Sequence, residues 1–272
     1  MKNYPALLLS QNVHKTLIIS DLHLGWEINL SRKGIHIPSQ MEKILQKLLN
    51  LLEMTRPRTL MILGDIKDTI AKAETGEWRD VPAFFEALEA KVNEIQILRG
   101  NHDGNLEPLL PPSTQMHPAT GITLGTIGFF HGHTWPSKKL LQCKTLVIGH
   151  IHPTIAFRDS LGFRTTKPVW IKARCDTGKL VNGFLRSKHI KKAGNPIKAF
   201  KTRFSIKPQV KELLIVPIFN DFLGGRPINR KRQYRSYIGP LLRSQAVDIN
   251  KAEAYLLDGS FLGTIEQLKS FH

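Results

Sequence analysis

Cysteine is nearly absent: Cys143 and Cys175 are the only two in the chain, and they form neither a CxxC pair nor a framework. A disulfide architecture is thereby excluded, and two reduced thiols are expected. Long apolar runs are missing as well. No stretch approaches the roughly 20 residues that a membrane helix needs, and the start Met1–Leu9 is too short and too soon broken by Pro5 for a signal peptide. These absences predict a cytoplasmic protein without a membrane partner. Acidic residues are scarce in one region only. Residues 158–251 hold 22 basic and 5 acidic side chains and the rest of the chain 17 of each, so the whole formal charge of +17 lies in that segment. Such a field attracts polyanions and makes binding salt-dependent through counterion release. A nucleic-acid partner is expected, DNA before RNA, against the plainer alternative of a solvated lysine surface; nothing specifies a protein partner.

With 41% hydrophobic and 22% charged residues the composition is otherwise that of a globular protein, and 272 residues suffice for one substantial core. One domain over 1–272 is expected, with 158–251 as a basic, partly loop-rich segment. Thr16–Ser20, Thr59–Leu63, Ile95–Leu98 and Thr145–Ile148 are short, aliphatic or β-branched, and read as strands buried on both faces. After Pro38 the positions Met41, Ile44, Leu45, Leu48, Leu49 and Leu52 recur at helical spacing until Pro57. A second helix is expected over Val81–Val92, burying Phe84, Phe85, Leu88 and Val92. The tract Leu109–Ser113 reads as loop, Gly121–Phe130 as strand, and Pro168–Ala173 and Glu212–Pro217 as strands of a second sheet. Arg186–Lys211 is lysine-rich and contains the turn signal Gly194-Asn195-Pro196, and the basic stretch Gly224–Arg232 reads as an exposed loop. Asp258-Gly259 between apolar runs predicts a C-terminal hairpin that returns to the core.

Five polar motifs occur in order: Asp21-Leu22-His23, Gly64-Asp65, Gly100-Asn101-His102-Asp103, His131-Gly132-His133 and Gly149-His150-Ile151-His152. All but the fourth come just after one of the four apolar runs, the third with Arg99 between. Ligands at the carboxyl ends of such strands fall in the crevice where open α/β sheets hold their chemistry. Asp, Asn and His without Cys are donors for Mn²⁺, Fe²⁺, Zn²⁺ or Mg²⁺, and their number argues for a binuclear centre. Each motif alone is weak, since Gly64-Asp65 is by itself a turn and two histidines can simply be solvated. Together they hold six of the eleven histidines; His14, His36, His117, His189 and His272 have no such context.

As an ordered set these motifs resemble the calcineurin-like metallophosphoesterase superfamily. Asp21–Glu27, Gly100–Gly104, His131–Pro136, Gly149–Pro153 and Ile218–Asn229 further resemble the archaeal phosphoesterases related to the SbcD nuclease and the bacterial ligase-associated DNA-damage endonuclease PdeM. The resemblance implies an α/β fold, a four-layer α/β/β/α sandwich of two mixed sheets flanked by helices. It implies two divalent metal ions, Mn²⁺ first, with Asp21, His23, Asp65 and His152 around one and Asp65, Asn101, His131 and His150 around the other. Asp65 bridges them. His102 is implied as general acid, with Asp103 orienting or polarising its ring, and water attacks phosphorus directly, without a Ser or Cys nucleophile. Either His131 or His133 is the ligand in the fourth motif, with the resemblance favouring His131. His133, Trp135, Arg226 and Arg230 are candidate substrate contacts, Trp135 by stacking on a base or by ordinary packing. One position departs from the SbcD pattern: Asp68 stands where those nucleases have His. The expected activity is hydrolysis of nucleic-acid phosphodiesters or terminal phosphates in DNA repair or processing. The alternatives are a small-molecule phosphatase or cyclic-nucleotide phosphodiesterase, and a catalytically silent scaffold, although no ligand is missing.

Overall fold

The computed structural model describes residues 1–11, 14–70, 72–191, 194–230 and 238–271. The apolar runs form strands for the reason their composition suggests. β1 (Leu7–Gln11), β2 (His14–Ile19), β3 (Thr59–Ile62), β4 (Glu94–Leu98) and β5 (Gln115–His117) make a five-stranded sheet in that order. β1 pairs antiparallel with β2, and the remaining pairs are parallel. Side chains alternate between its faces. Leu17, Ile19, Leu60, Ile62, Ile95 and Ile97 share a cluster with Leu48, Leu51, Phe84, Phe85 and Leu88. These last come from α2 (Met41–Thr55) and α3 (Thr75–Glu89), which follow the short α1 (Trp26–Ser31). Ile18, Met61 and Leu98 turn the other way and meet Phe129, Val147 and Ile148 of a second sheet.

The chain after residue 121 supplies β6 (Ile122–Leu124), β7 (Ile127–Phe129), β8 (Thr145–Ile148), β9 (Pro153–Arg158), β10 (Arg164–Pro168), β11 (Trp170–Arg174) and β12 (Glu212–Ile215). The two-residue β13 (Arg226–Pro227), then β14 (Glu253–Tyr255) and β15 (Phe261–Thr264), complete the strands. Seven form the second sheet in the order β15-β14-β11-β12-β8-β7-β6, with β12, β8 and β7 mutually parallel. Its outer helices include α4 (Thr177–Ser187) and α5 (Pro196–Phe204), which place Leu180, Phe184 and Phe200 in the same cluster as that sheet. Two short helices, α6 (Pro240–Arg243) and α7 (Ile265–Leu268), bring Leu241, Leu242, Ile265 and Leu268 to it. Mixed sheets flanked by helices are the architecture that the resemblance implied. A third sheet, β10-β9-β13, is additional to it.

Several local expectations need correction. α3 begins at Thr75, six residues before Val81, and passes through Pro82. Its start is fixed by Glu77, whose carboxylate accepts the Glu74 N–H at 2.8 Å and those of Asp68 and Thr69 at 3.0 and 2.8 Å. Gly121–Phe130 is a tight hairpin of two strands, with Gly125 at φ +59. Arg186–Lys211 contains α5: Asn195 Oδ1 accepts the N–H groups of Ile197 and Lys198, and Pro196 fills the first helical turn. That tripeptide is a helix start as well as a turn signal. Lys231 and Arg232, the end of the expected basic loop, lie outside the described residues. Glu253–Tyr255 and Phe261–Thr264 pair antiparallel across Asp258-Gly259 at the edge of the seven-stranded sheet.

Candidate metal centre

β2, β3 and β4 are parallel within one sheet, so the loops that leave them emerge at the same edge, and the loop after β8 of the other sheet meets them there. Backbone bonds stitch these loops together. The Asp21 N–H donates to Gly64 O at 3.1 Å, the His23 N–H to Asp65 O at 2.9 Å, and the Gly149 N–H to His131 O at 3.0 Å. Two glycines permit the approach: a Cβ on Gly100 would overlap the Asp65 backbone and carboxylate, and one on Gly149 would overlap Ser20 Oγ. Asp21, His23, Asp65, His150 and His152 all adopt left-handed backbone, with φ of 60, 45, 53, 66 and 45°. Such conformations cost about 1–3 kcal/mol each and persist only where surrounding structure holds them, as at ligand clamps.

Two groups of donors result, each with its ligand atoms within 4.8 Å of one another: Asp21, His23 and His152, and Asp65, His131 and His150. A third grouping, His23, Asp65 and His102, joins them. Asp65 Oδ2 lies 3.2 Å from His131 Nε2 and 3.7 Å from His23 Nε2, so one carboxylate faces both groups. Asn101 Oδ1 and His150 Nδ1 stand 3.2 and 3.1 Å from His131 Nε2. His152 Nε2 is 3.1 Å from Asp21 Oδ1. His131 is inside the cluster, whereas the His133 ring lies 6.0 Å from that of His150 and outside both groups.

The electrostatics match a site built for cations. Burial opposes charge on Asp65, yet His131 and His23 outweigh it and hold its pKa well below the usual carboxylate range. Asp21 behaves likewise, lowered to about 2 against burial by His152 and His131. Burial also opposes protonation of His131, but Asp65 and Asp21 carry its pKa up to about 9. His150 is driven down to about 3 by burial and by the neighbouring His131 charge. The proton that His131 holds thus stands where a divalent cation competes for the same lone pair. His23 Nε2 is buried without a hydrogen-bond partner, a cost that a bound cation removes. The Leu63 carbonyl faces His131 Nδ1, the backbone contact that fixes the neutral tautomer and leaves Nε2 for a metal.

The surrounding side chains take roles that spacing did not reveal. Asp103 is fully buried and commits its carboxylate to the N–H groups of Gly100 (2.7 Å), Asp65 (2.9 Å) and Ile66 (2.8 Å). It organises the loop backbone; the polar contact to the His102 ring comes instead from the Asp68 carbonyl, at Nδ1. The Asp68 carboxylate stands 3.1 Å from His23 Nδ1 and takes an Asn29 amide on its other oxygen. One residue therefore touches two site histidines, and its only sequence signal is the Asp at the position where the SbcD pattern has His. Ser20 Oγ donates to Asp21 Oδ2 at 2.6 Å, and Asn220 Nδ2 to Leu22 O at 2.7 Å; no spacing pointed to either. Above the donors opens a cleft of about 310 Å³, lined by His23, Asp65, Asn101, His102, His150, Ile151 and His152 and by Gly224–Arg226 and Ile238. Arg226 therefore reaches the site. Arg230 is exposed and does not line this cleft, and Trp135 lines a neighbouring one.

Residues 14–176, which carry every one of these donors, match the family model of the calcineurin-like phosphoesterases. The chain belongs to the calcineurin-like phosphoesterase family. It is accordingly a metal-dependent phosphoester hydrolase, and the donor groupings fit the divalent metals that this family uses. Among solved structures, a nuclease MPE from Pseudomonas putida shares the fold at 16% identity and a TM-score of 0.50, with 93% of this chain and 97% of that one covered. The phosphoesterase YfcE from E. coli is 20% identical over 53% of this chain and 74% of its own, at a TM-score of 0.33. No curated protein matches significantly. Among the described residues of this phosphoesterase, no helix is long and apolar enough to cross a membrane.

Proposed function

We propose that this phosphoesterase hydrolyses phosphodiester or terminal phosphate bonds of nucleic acid, DNA first, in repair or processing, as its motif likeness to the SbcD-related enzymes and PdeM implies. The observation that carries the site is Asp65, one buried carboxylate facing two donor groupings on the floor of an open cleft. Asp21, His23, Asp65 and His152 would hold one divalent cation, and Asp65, Asn101, His131 and His150 the other. When bound, the pair, Mn²⁺ first, offsets charge developing on the phosphoryl oxygens and lowers the pKa of water at the site. Water is the nucleophile, as the family resemblance implies for a pair of divalent cations. His102 gives a proton from Nε2 to the leaving oxygen, its ring held at Nδ1 by the Asp68 carbonyl. Arg226 at the rim supplies a cation for a neighbouring phosphate, and the +17 of residues 158–251 supplies sequence-independent grip. A nuclease with nearly full-length coverage in both directions is in keeping with that substrate.

The test is turnover by the Mn²⁺-loaded protein on a labelled single strand, a duplex, a 3′-phosphorylated end and an aryl phosphodiester, across a salt series. Hydrolysis of the polynucleotides, weakening as salt rises, is the expected result. If only the aryl compound and small nucleotides turn over, indifferent to salt, the enzyme is a small-molecule phosphatase or cyclic-nucleotide phosphodiesterase.

A further inference from the structure

Beside the metal centre lies a second cleft, of about 540 Å³, that the hydrolytic site does not use. One wall is a face of α4. Lys179, Asn182, Gly183 and Arg186 follow one another at helical spacing, while Leu180, Val181, Phe184 and Leu185 on the other side are buried. The opposite wall is α6 and the two residues after it, with Pro240, Arg243, Ser244 and Gln245, and the ring of Trp135 forms the third. Gly183 brings the walls together: a Cβ there would stand 2.6 Å from Trp135 Cη2 and 3.0 Å from Ser244 Cβ. Trp135 is therefore half-buried against α4, edge-on to Phe184 at 6.3 Å, and gives the cleft an apolar side.

Among the described residues three cations line this space and no carboxylate does. Among the described residues none of the three takes part in an ion pair closer than 4.0 Å, although seven other Lys or Arg side chains of the chain do so with Asp or Glu at 3.5 Å or less. Like charges gathered in one concavity repel and focus a positive field, an arrangement suited to an anionic ligand rather than to the fold. Asn182 Oδ1 is buried without a hydrogen-bond partner, a polar group that an occupant or its water would satisfy. The cleft also adjoins the reaction site. Trp135 follows two residues after His133, and a Cβ on Gly239, next to Pro240, would lie 2.6 Å from Gly132 O and 3.9 Å from His150 Cδ2.

We infer that Lys179, Arg186 and Arg243, with Trp135 and Asn182, form a phosphate subsite for the polynucleotide strand that flanks the bond being hydrolysed. This inference rests on the nucleic-acid reading above. The cations take backbone phosphates, so the subsite reads no sequence and acts only on substrates long enough to reach it.

The test compares K179A/R186A/R243A, all exposed side chains, with K15A/R56A/K91A. The control triple removes the same charge from the amino-terminal ends of β2, β3 and β4, opposite the metal loops. Each Mn²⁺-loaded protein is assayed on a 20-nucleotide strand, a dinucleotide and an aryl phosphodiester. For the cleft triple, KM on the long strand should rise at least about tenfold, and the slope of log KM against log salt should fall by about 0.7 for each phosphate that is no longer neutralised. Its kcat on the two short substrates should hold. An equal loss in the control triple, or an unchanged KM in the cleft triple, overturns the subsite while leaving hydrolysis of nucleic acid in place. If the wild type cleaves no strand, binding of the 20-nucleotide strand by anisotropy decides. Binding abolished only by the cleft triple keeps the subsite and sinks the hydrolytic reading; no binding at all sinks both. Triple-sensitive binding to phosphatidylserine vesicles, without strand binding, overturns the inference in favour of a membrane surface.

Discussion

Replacing Asp103 by Asn separates two accounts of that residue, a group that polarises the His102 ring and a group that organises the metal loops. In the structure Oδ2 accepts the N–H groups of Gly100 and Asp65 at 2.7 and 2.9 Å, and Oδ1 that of Ile66 at 2.8 Å. Asn keeps one oxygen for two donors, but its amide nitrogen then faces the third N–H with no acceptor. An unsatisfied buried donor costs about 1–3 kcal/mol, and the removal of charge-assisted bonds places the change in the upper half of that range. A domain of this size drops by about 2–4 °C in Tm per kcal/mol, so Asp103→Asn should melt roughly 4–12 °C lower. Asp103→Ala strands all three donors, at about 3–9 kcal/mol, comparable with a typical total stability of about 5–15 kcal/mol. That variant should yield little folded protein. Because the three N–H groups set the position of Asp65 and of the loop carrying Asn101, metal affinity should fall together with Tm in Asp103→Asn. Thermal melts and calorimetric Mn²⁺ titration measure both. An unchanged Tm and metal affinity, with kcat lowered and its pH profile displaced, would refute the organising role and restore the polarising one.

His102→Ala should lower kcat by about 10²–10⁴-fold with both metals still bound by elemental analysis; full activity removes the general-acid role. Asp68→Asn keeps the carbonyl that holds His102 but removes the charge beside His23, so metal affinity should fall about 10–100-fold while kcat at saturating Mn²⁺ is largely retained. Equal affinity in the variant would show that this carboxylate does not orient its ligand. Burial pushes the Cys175 thiol up to about 12, helped by Asp176, and raises Cys143 too. Both should therefore stay protonated and unreactive toward a disulfide reagent at pH 8 until the protein is unfolded, and rapid native labelling would contradict their burial.

Much of the centre was legible because its parts are local. Thr59–Ile62 is a strand buried along its length and Thr145–Ile148 one buried at all but its first residue, and such runs announce themselves by composition. A polar motif just after one of them marks a strand end. The helices after residue 176 were harder to read, since Lys and Arg dominate their exposed faces. In α5, Asn195-Pro196 serves turn and helix start alike, and only the burial of Phe200 against the second sheet selects the helix.

What the sequence determined alone was the inventory: a cluster of Asp, Asn and His donors at strand ends, an excess of cations in one segment, and no thiol chemistry. Tertiary structure decided which of those groups meet. His131 and His133 are two residues apart and chemically identical, yet only one meets Asp65, because the packing of two sheets sets the angle at which each side chain leaves. Asp103 follows His102 directly but turns to backbone N–H groups, and Asp68, some 34 positions away, holds the His102 ring. Left-handed backbone at five donors, and three cations gathered beside Trp135, are likewise set by long-range packing. Propensity acts between neighbours in the chain, whereas a ligand sphere and a charged cleft are relations between neighbours in space.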